Sequence, residues 1–465
     1  MDKVWLKSYP PGVPRDIDPD QYRSLGHLLE DAFRRHAGRR AFVCMDRFLT
    51  YAELDSLSKK LGAWLQSRGL RKNARVAVML PNVLQYPIAI AAILRAGYIV
   101  VNVDPRYTPR ELVHQLNDSG SEAIVILENC ASALEQVLPK TAVRHIVVAS
   151  MGDMLGVPRG ALVNFVARRV KKMVPAFSLP NALRFGDALS AGGAMKLTAV
   201  DLAGADTAFL QYTDNTAGVT KGAMLSHRNL VANIVQGEAW AKPGLERAPV
   251  VESLSIVCAL PLHHIFALTT CALWGMHVGA LNILIPNPDD IGGFVRELGK
   301  HRFNLLPAQN ALYHALLNHS DFAKLDFSGL KICNGGTAVE TAVGAKWLAI
   351  TGVAIIEGYG LPETTAVVSC NRADSTAFTG NSGLPLPSTE VALLDDDGVP
   401  VAIGETGEIA IRGPQVMAGY WSRPDETARV MTDDGYFKSG AMGVMDAGGY
   451  LHIARRKSDD SIAIN

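Results

Sequence analysis

The chain has 465 residues, with 45 Lys plus Arg against 45 Asp plus Glu, and it is 48% hydrophobic and 19% charged. Such a composition fills buried cores for about two to four domains and excludes a disordered or collagen-like chain. A net charge of zero argues against nucleic acid as a partner, since duplex binding needs excess Lys and Arg to neutralise phosphates. Six cysteines, Cys44, Cys130, Cys258, Cys271, Cys333 and Cys370, form no Cys-x-x-Cys pair. Neither a zinc site nor a disulfide framework is expected, and a reducing compartment fits.

The first 22 residues carry charges and prolines where a signal peptide needs an uninterrupted apolar core, so a cytoplasmic start is expected. RVAVML at 75–80 predicts a strand, NVLQYPIAIAAILRAG a helix ending at Gly97, and YIVVNVD a further strand; EAIVIL at 122–127 and HIVVAS at 145–150 continue the series. Apolar β-branched runs separated by helices predict parallel sheets covered on both faces, hence an α/β fold over the first two-thirds. VARRVKKMV at 166–174 sets four cations among apolar residues. That pattern suits a helix lying peripherally on the inner face of a membrane, or a solvated helix face.

TAFLQYT at 207–213 predicts a strand and LSHRNLVANIVQG a helix, with DNTAGVTKGAML between them. A strand, a loop holding Thr213, Thr216, Gly218, Lys221 and Gly222, then a helix is a way of presenting amides and a cation to phosphate. The loop is not a Walker A sequence. From Ser253 to Pro288 no Asp, Glu, Lys or Arg occurs, a run long enough to span a bilayer. Pro261, His263, His264, Gly275, Gly279 and Pro286 interrupt it, so buried strand, loop and helix are predicted instead. After about Ser369, short alternating stretches with Asp-Gly and Gly turns predict a small antiparallel β unit.

YTDNTAGVTKGAMLSHRN, ALPLHHIFAL, EGYGLPETTAVVS, GLPLPSTE, GPQVMAGYW and YFKSGAMGVMDAGGYLHIARRK stand in the order and spacing of the AMP-forming acyl-CoA synthetases. The chain resembles that family from end to end, the bacterial long-chain fatty acyl-CoA synthetases above all; MDKVWLKSYP, NVLQYP and IVVNVDPRYTPRELVHQLNDSG add to the match. The resemblance implies two doubly wound α/β subdomains and a small antiparallel β-barrel. Residues 1–436 would be the AMP-binding large domain, β-rich from about 370, and 437–465 its end with a hinge remnant. Family members continue into a mobile C-terminal lid with an adenylation Lys and part of the CoA tunnel, and the chain is expected to lack it after Asn465. The implied reaction uses ATP, Mg and CoA: a fatty acid carboxylate attacks the α-phosphate to give acyl-AMP and pyrophosphate, and CoA thiol then displaces AMP.

By the same resemblance, Thr213, Thr216, Gly218 and Lys221 match residues that hold the β- and γ-phosphates. Tyr359, followed by Gly360, matches the aromatic packed on adenine, and Gly335 and Gly336 match the adenine-side turn. Glu363 matches the magnesium-associated carboxylate, His264 the imidazole near the acyl carboxylate, and Arg455 the ribose-contacting Arg near the hinge.

The chain departs from its family at several of these points. Asp214 and Asn215 stand where the pattern has two glycines, and Ala217 where it has Thr. A carboxylate about 5 Å from a phosphate charge, at an effective dielectric of about 20, costs on the order of 3 kcal/mol, about two powers of ten in binding or rate. Pro362 replaces the Thr before the family's Glu, and Ala441 in KSGAMG replaces the Asp that receives the ribose hydroxyls. Ala454 and Ser458 replace the two acids of the hinge motif. Three readings follow: an acyl-adenylate-forming ligase of reduced or half-reaction activity, completed by a lid from another chain in one version; a pseudoenzyme that binds fatty acid or acyl-adenylate as sensor or scaffold; and a decayed product. Chain length of the acyl group and oligomeric state leave no sequence signal.

Overall fold

The computed structural model describes residues 3–213, 220–336 and 338–456. Strands form where the apolar runs stand, at Arg75–Met79, Ile99–Asn102, Ala123–Leu127 and His145–Ala149, and nearly every residue in them is buried. Burial on both faces is why these runs show no polar alternation. They belong to a seven-stranded sheet whose spatial order is Leu183–Arg184, His145–Ala149, Ala123–Leu127, Arg75–Met79, Ile99–Asn102, Thr207–Tyr212 and Gly222–Ser226. Pairing is parallel throughout except at the last strand. Because the chain winds outward in both directions from Arg75–Met79, the sheet has a switch point, and ligand sites in such sheets lie beyond the carboxyl ends of the strands.

The helix Gln85–Arg95 is buried at every residue, which explains its nearly unbroken apolar sequence. Two of its polar side chains are tied to the surroundings: Gln85 Nε2 donates to the Ser150 carbonyl at 2.7 Å, and the Arg95 guanidinium pairs with Asp55 at 2.9 Å, although its Nε has no hydrogen-bond partner among the described residues. The helix stops where predicted. Gly97 has φ +82°, and a Cβ there would come within 2.7 Å of Val200; no other residue fits.

One expectation is corrected. The segment after the loop does not enter a helix directly: Gly222–Ser226 is a strand antiparallel to Thr207–Tyr212, and the helix runs from His227 to Leu245. The loop therefore joins the arms of a hairpin, and no helix N-terminus follows it. The helix start is fixed instead by a capping box, with Ser226 Oγ accepting from Asn229 N–H at 3.1 Å and Asn229 Oδ1 accepting from Ser226 N–H at 2.9 Å. GAML reads equally as strand or helix entry, and pairing with a strand ten residues earlier decides it.

His227, at the head of this helix, accepts the Leu25 N–H on Nδ1 at 3.2 Å and is 1% exposed. Burial pushes its imidazole down from 6.5 to about 4. The unfolded chain then binds the proton more tightly, so the stabilisation is complete above pH 6.5 and fades as pH falls towards 4. Lowering the pH from 7 to 5 is expected to remove roughly 2 kcal/mol of stability through this group alone. Denaturant melts of wild type and His227→Asn should show a smaller difference between those pH values for the variant.

A second sheet carries Arg47–Thr50, Arg40–Cys44, Leu281–Leu284 and Ser255–Cys258 side by side. Bridges from Ile256 to Leu305, and from Leu305 to Ile332, link it to Cys333–Gly335 and its parallel neighbour Ile355–Tyr359, followed by the antiparallel Ser369–Cys370 and Leu384–Pro385. The charge-free run from 253 folds as predicted. Strand Ser255–Cys258, a helical stretch from Ile265 to Val278 and strand Leu281–Leu284 are mostly buried. Among the described residues no helix is long and apolar enough to cross a membrane. The last expected unit is a four-stranded antiparallel sheet, Glu390–Leu394, Thr406–Arg412, Phe437–Met445 and Leu451–Arg456, paired in chain order.

Candidate active site

A cavity of about 930 Å³ opens where the carboxyl ends of the second sheet meet the hairpin of the first and the antiparallel unit. It gathers most of the residues singled out from the sequence: Thr213, Lys221, His264, Gly335, Gly336, Tyr359, Gly360, Pro362, Glu363 and Ala441 all line its wall. These come from segments far apart in the chain, so their convergence is a property of the fold. Gly222 does not line it. Gly222 sits in the hairpin against the Tyr212 ring, and its carbonyl accepts from Trp421 N–H at 2.8 Å. Asp214, Asn215, Thr216, Ala217 and Gly218 lie outside the described residues, as does the side chain of Arg455.

The loop's base is closed by Thr213 N–H donating to the Lys221 carbonyl at 3.0 Å. Lys221 Nζ pairs with Glu426 at 2.6 Å and stands 5.1 Å from the centroid of the Tyr420 ring. A phosphate approaching Lys221 therefore meets an ammonium already held by a carboxylate, and binding requires the two anions to share or exchange it.

Glu363 is buried, and Tyr420 donates its hydroxyl to Oε1 at 2.7 Å. Burial pushes the carboxyl above its ordinary 4.5, against the weaker opposing influence of the Tyr420 hydroxyl and Lys221. Folding thus works against the ionised form: stability from this group is full below pH 4.5 and declines as pH rises through the elevated value. Glu363→Gln keeps an oxygen acceptor for Tyr420 and removes the charge. It should melt at a higher temperature than wild type near pH 7, show no gain below pH 4.5 and lose any magnesium dependence of nucleotide binding.

Pro362 opens the short turn Pro362–Thr364, where a missing N–H costs the backbone nothing. The wall nevertheless presents neither amide proton nor hydroxyl at that point. Gly360 is dictated by space, since a Cβ would overlap the Ala366 carbonyl oxygen at 1.3 Å. A Cβ on Gly336 would reach 2.9 Å from the Phe266 ring. His264 caps the turn beginning at Ile265, its Nδ1 accepting from Phe266 N–H at 3.3 Å. Ala441 lies on the strand Phe437–Met445 and offers a methyl group to the cavity; the nearby Ser439 Oγ accepts from Ala441 N–H at 3.2 Å.

Away from these groups the lining is mostly apolar, with Asn233, Thr269, Thr270, Gln309 and Asn334 set among its apolar residues. The helix His227–Leu245 contributes Asn233, Gly237, Trp240 and Ala241, and the lining also includes Ile356, Cys370 and Ala373. Trp240 Nε1 donates to the Asn371 carbonyl at 2.9 Å, tying the helix to the segment that holds Cys370 and Ala373. Sequence reasoning did not single out Tyr420, Glu426, Trp240 or Gly237. Tyr420 falls inside the quoted GPQVMAGYW, which is a signal of sorts; the pairing of Lys221 with Glu426 has none.

Comparison with known proteins agrees with this architecture. The chain matches the AMP-binding enzyme family over residues 29–421. It is 48% identical over 461 residues to the long-chain-fatty-acid–CoA ligases of Salmonella typhimurium and Escherichia coli O157:H7, covering 99% of this chain and 81% of each relative. The Bacillus subtilis protein of the same name is 34% identical over 464 residues, again 99% of this chain and 81% of the relative. In fold, it is similar to an anthranilate CoA ligase in complex with anthranoyl-AMP, with TM-score 0.81 at 21% identity over 95% of this chain and 80% of that one. A long-chain-fatty-acid-CoA ligase from Archaeoglobus fulgidus gives TM-score 0.79 at 23% identity over 96% and 86%. With its motifs in family order, its cavity where they converge and these relatives over nearly its whole length, the chain belongs to the AMP-binding enzymes, in the long-chain-fatty-acid–CoA ligase family.

Proposed function

We propose that the protein binds a fatty acid in the apolar part of its cavity, and that its ATP-dependent activation to acyl-AMP and then to a CoA thioester is much weaker than the family's. The observation that carries this reading is the contrast within one cavity. The wall of Gly237, Trp240, Ile356 and Ala373 is suited to an acyl chain, whereas the nucleotide end presents the Ala441 methyl group and Pro362. In the family pattern those two positions supply a carboxylate for ribose and a hydroxyl beside the metal-associated Glu.

Magnesium fits the residues present in a limited sense. No group of three His, Cys, Asp or Glu side chains that would hold a metal occurs among the described residues, so the ion would be bound mainly by nucleotide phosphates, with Glu363 as its protein carboxylate. When bound it would neutralise phosphate charge. The protein's own part is to orient the carboxylate near His264, exclude water with the apolar wall and hold phosphate through Lys221, once that cation is released from Glu426. Little covalent chemistry falls to the side chains, and positioning dominates.

The same contrast favours a second reading, in which the protein binds fatty acid or acyl-adenylate without turning it over. Thermal melting with a series of fatty acids and with ATP, alongside assays of pyrophosphate release and acyl-CoA formation, separates the readings. Longer acids should stabilise more, at roughly 0.8 kcal/mol per buried methylene until the cavity is full, while ATP stabilises little. Slow magnesium-dependent pyrophosphate release supports the weak ligase, and none supports the binder. Acyl-CoA formation at a rate comparable with an intact relative overturns both.

A further inference from the structure

Residues 154–186 contain six cations, Arg159, Arg168, Arg169, Lys171, Lys172 and Arg184, and no Asp or Glu, in a chain whose net charge is zero. Within this stretch a helix, Arg159–Phe165, continues into a wider turn, Val166–Val170. The way it docks is the reverse of an ordinary surface helix, which buries its large apolar side chains. Its contacts with the body of the protein are made by small and polar residues. Gly160 and Ala167 are buried, Asn164 Oδ1 accepts from Gly152 N–H at 2.7 Å, and Arg168 reaches Glu128 at 2.7 Å and Ser150 Oγ at 2.9 Å. The large apolar residues face out: Leu162 is 62% exposed, Phe165 57% and Val170 64%. Val157 and Met173 join them, so five of the ten exposed large apolar residues among the described ones sit on this one projection.

We infer that this projection is a docking surface for a bilayer carrying anionic lipids. Arg159 and Arg168 are engaged with Asp46 and Glu128, which fix the segment in place. Arg169, Lys171 and Lys172 are exposed beside Phe165, Val170 and Met173. Cations at headgroup level with apolar side chains reaching below them are the pattern of a segment lying in a membrane interface, and an acidic protein partner would need only the charges. The position is consistent with the site. The segment follows the carboxyl end of His145–Ala149, on the same rim as Thr213, four strand spacings or roughly 20 Å away. The inference stands independently of whether the ligase chemistry is strong or weak.

The full 465-residue chain should be tested by flotation with phosphatidylcholine vesicles, with and without phosphatidylglycerol. Binding is expected with the anionic vesicles and to fall about tenfold or more in pure phosphatidylcholine or at high salt. Leu162→Glu with Phe165→Glu, and separately Lys171→Glu with Lys172→Glu, should each weaken binding about tenfold or more. Val399→Glu with Ile403→Glu, altering exposed apolar residues elsewhere, should leave it unchanged. Unaltered melting temperatures show that the variants fold. Any variant that melts early is replaced by Leu162→Ser with Phe165→Ser, for which the same loss is expected. Failure of the wild type to float overturns the inference, and so does undiminished binding by the 162/165 variants with loss confined to the lysine pair, which would leave charge attraction without entry of the apolar side chains.

Discussion

Replacing Ala441 with Asp is expected to tighten ATP binding by about a hundredfold. The methyl group of Ala441 lies on the cavity wall and is 7% exposed, and on the proposed reading it faces the ribose. A carboxylate there accepts two hydroxyls, each charged hydrogen bond contributing at least about 1.5 kcal/mol, and together about 3 kcal/mol, or two powers of ten in Kd. Without ligand the same change costs stability, because it buries a charge in place of a methyl group, by about 1–3 kcal/mol. Two measurements therefore move in opposite directions: the melting temperature of the free variant falls, and its rise on adding ATP exceeds that of wild type by mass action. Ala441→Asn, which accepts without charge, should give a smaller gain. Unchanged ATP affinity in Ala441→Asp, measured by calorimetry on a variant shown to be folded, would place the ribose elsewhere and remove the main support for weakened ligation.

What the sequence revealed and what it hid divide along physical lines. Strands such as Ala123–Leu127 are legible because burial on both faces leaves an uninterrupted apolar run, and the end of the helix Gln85–Arg95 is legible because Gly97 alone tolerates its backbone. Gly222–Ser226 was hidden: a strand of five residues leading straight into a helix has no period of its own, and only its antiparallel partner makes it a strand. The wall residues Tyr359, Glu363 and Ala441 were found through motif order, which marks a position without its neighbours. The pairing of Lys221 with Glu426, 205 residues away, and of Glu363 with Tyr420, 57 away, arises only when the hairpin and the turn Pro362–Thr364 meet the segment from Tyr420 to Glu426. These contacts decide how free the cation is and how readily the carboxyl ionises, so the electrostatics of the site belong to tertiary structure.

Gly237→Leu is expected to uncouple stability from ligand binding. Gly237 lies inside the helix His227–Leu245, lines the cavity, and a Cβ built there meets no atom within 4 Å. The backbone is helical and the space beyond it is empty, so a larger side chain enters without strain. Replacing a mid-helix glycine by a good helix former favours folding by roughly 0.8 kcal/mol, and the melting temperature should rise. The four carbons of the leucine side chain occupy volume that an acyl chain would fill, excluding about four methylenes at about 0.8 kcal/mol each. Palmitate should therefore bind about a hundredfold more weakly, while octanoate, which need not reach past this point, is little affected. Gly237→Ala should keep most of the stability gain and most of the palmitate affinity, since one methyl group leaves the passage open. Calorimetric titration of both acids into the three proteins reads the effect directly. A uniform loss for both acids would mean that Gly237 lies at the entrance, and unchanged palmitate binding would mean that the acyl chain does not run along this helix.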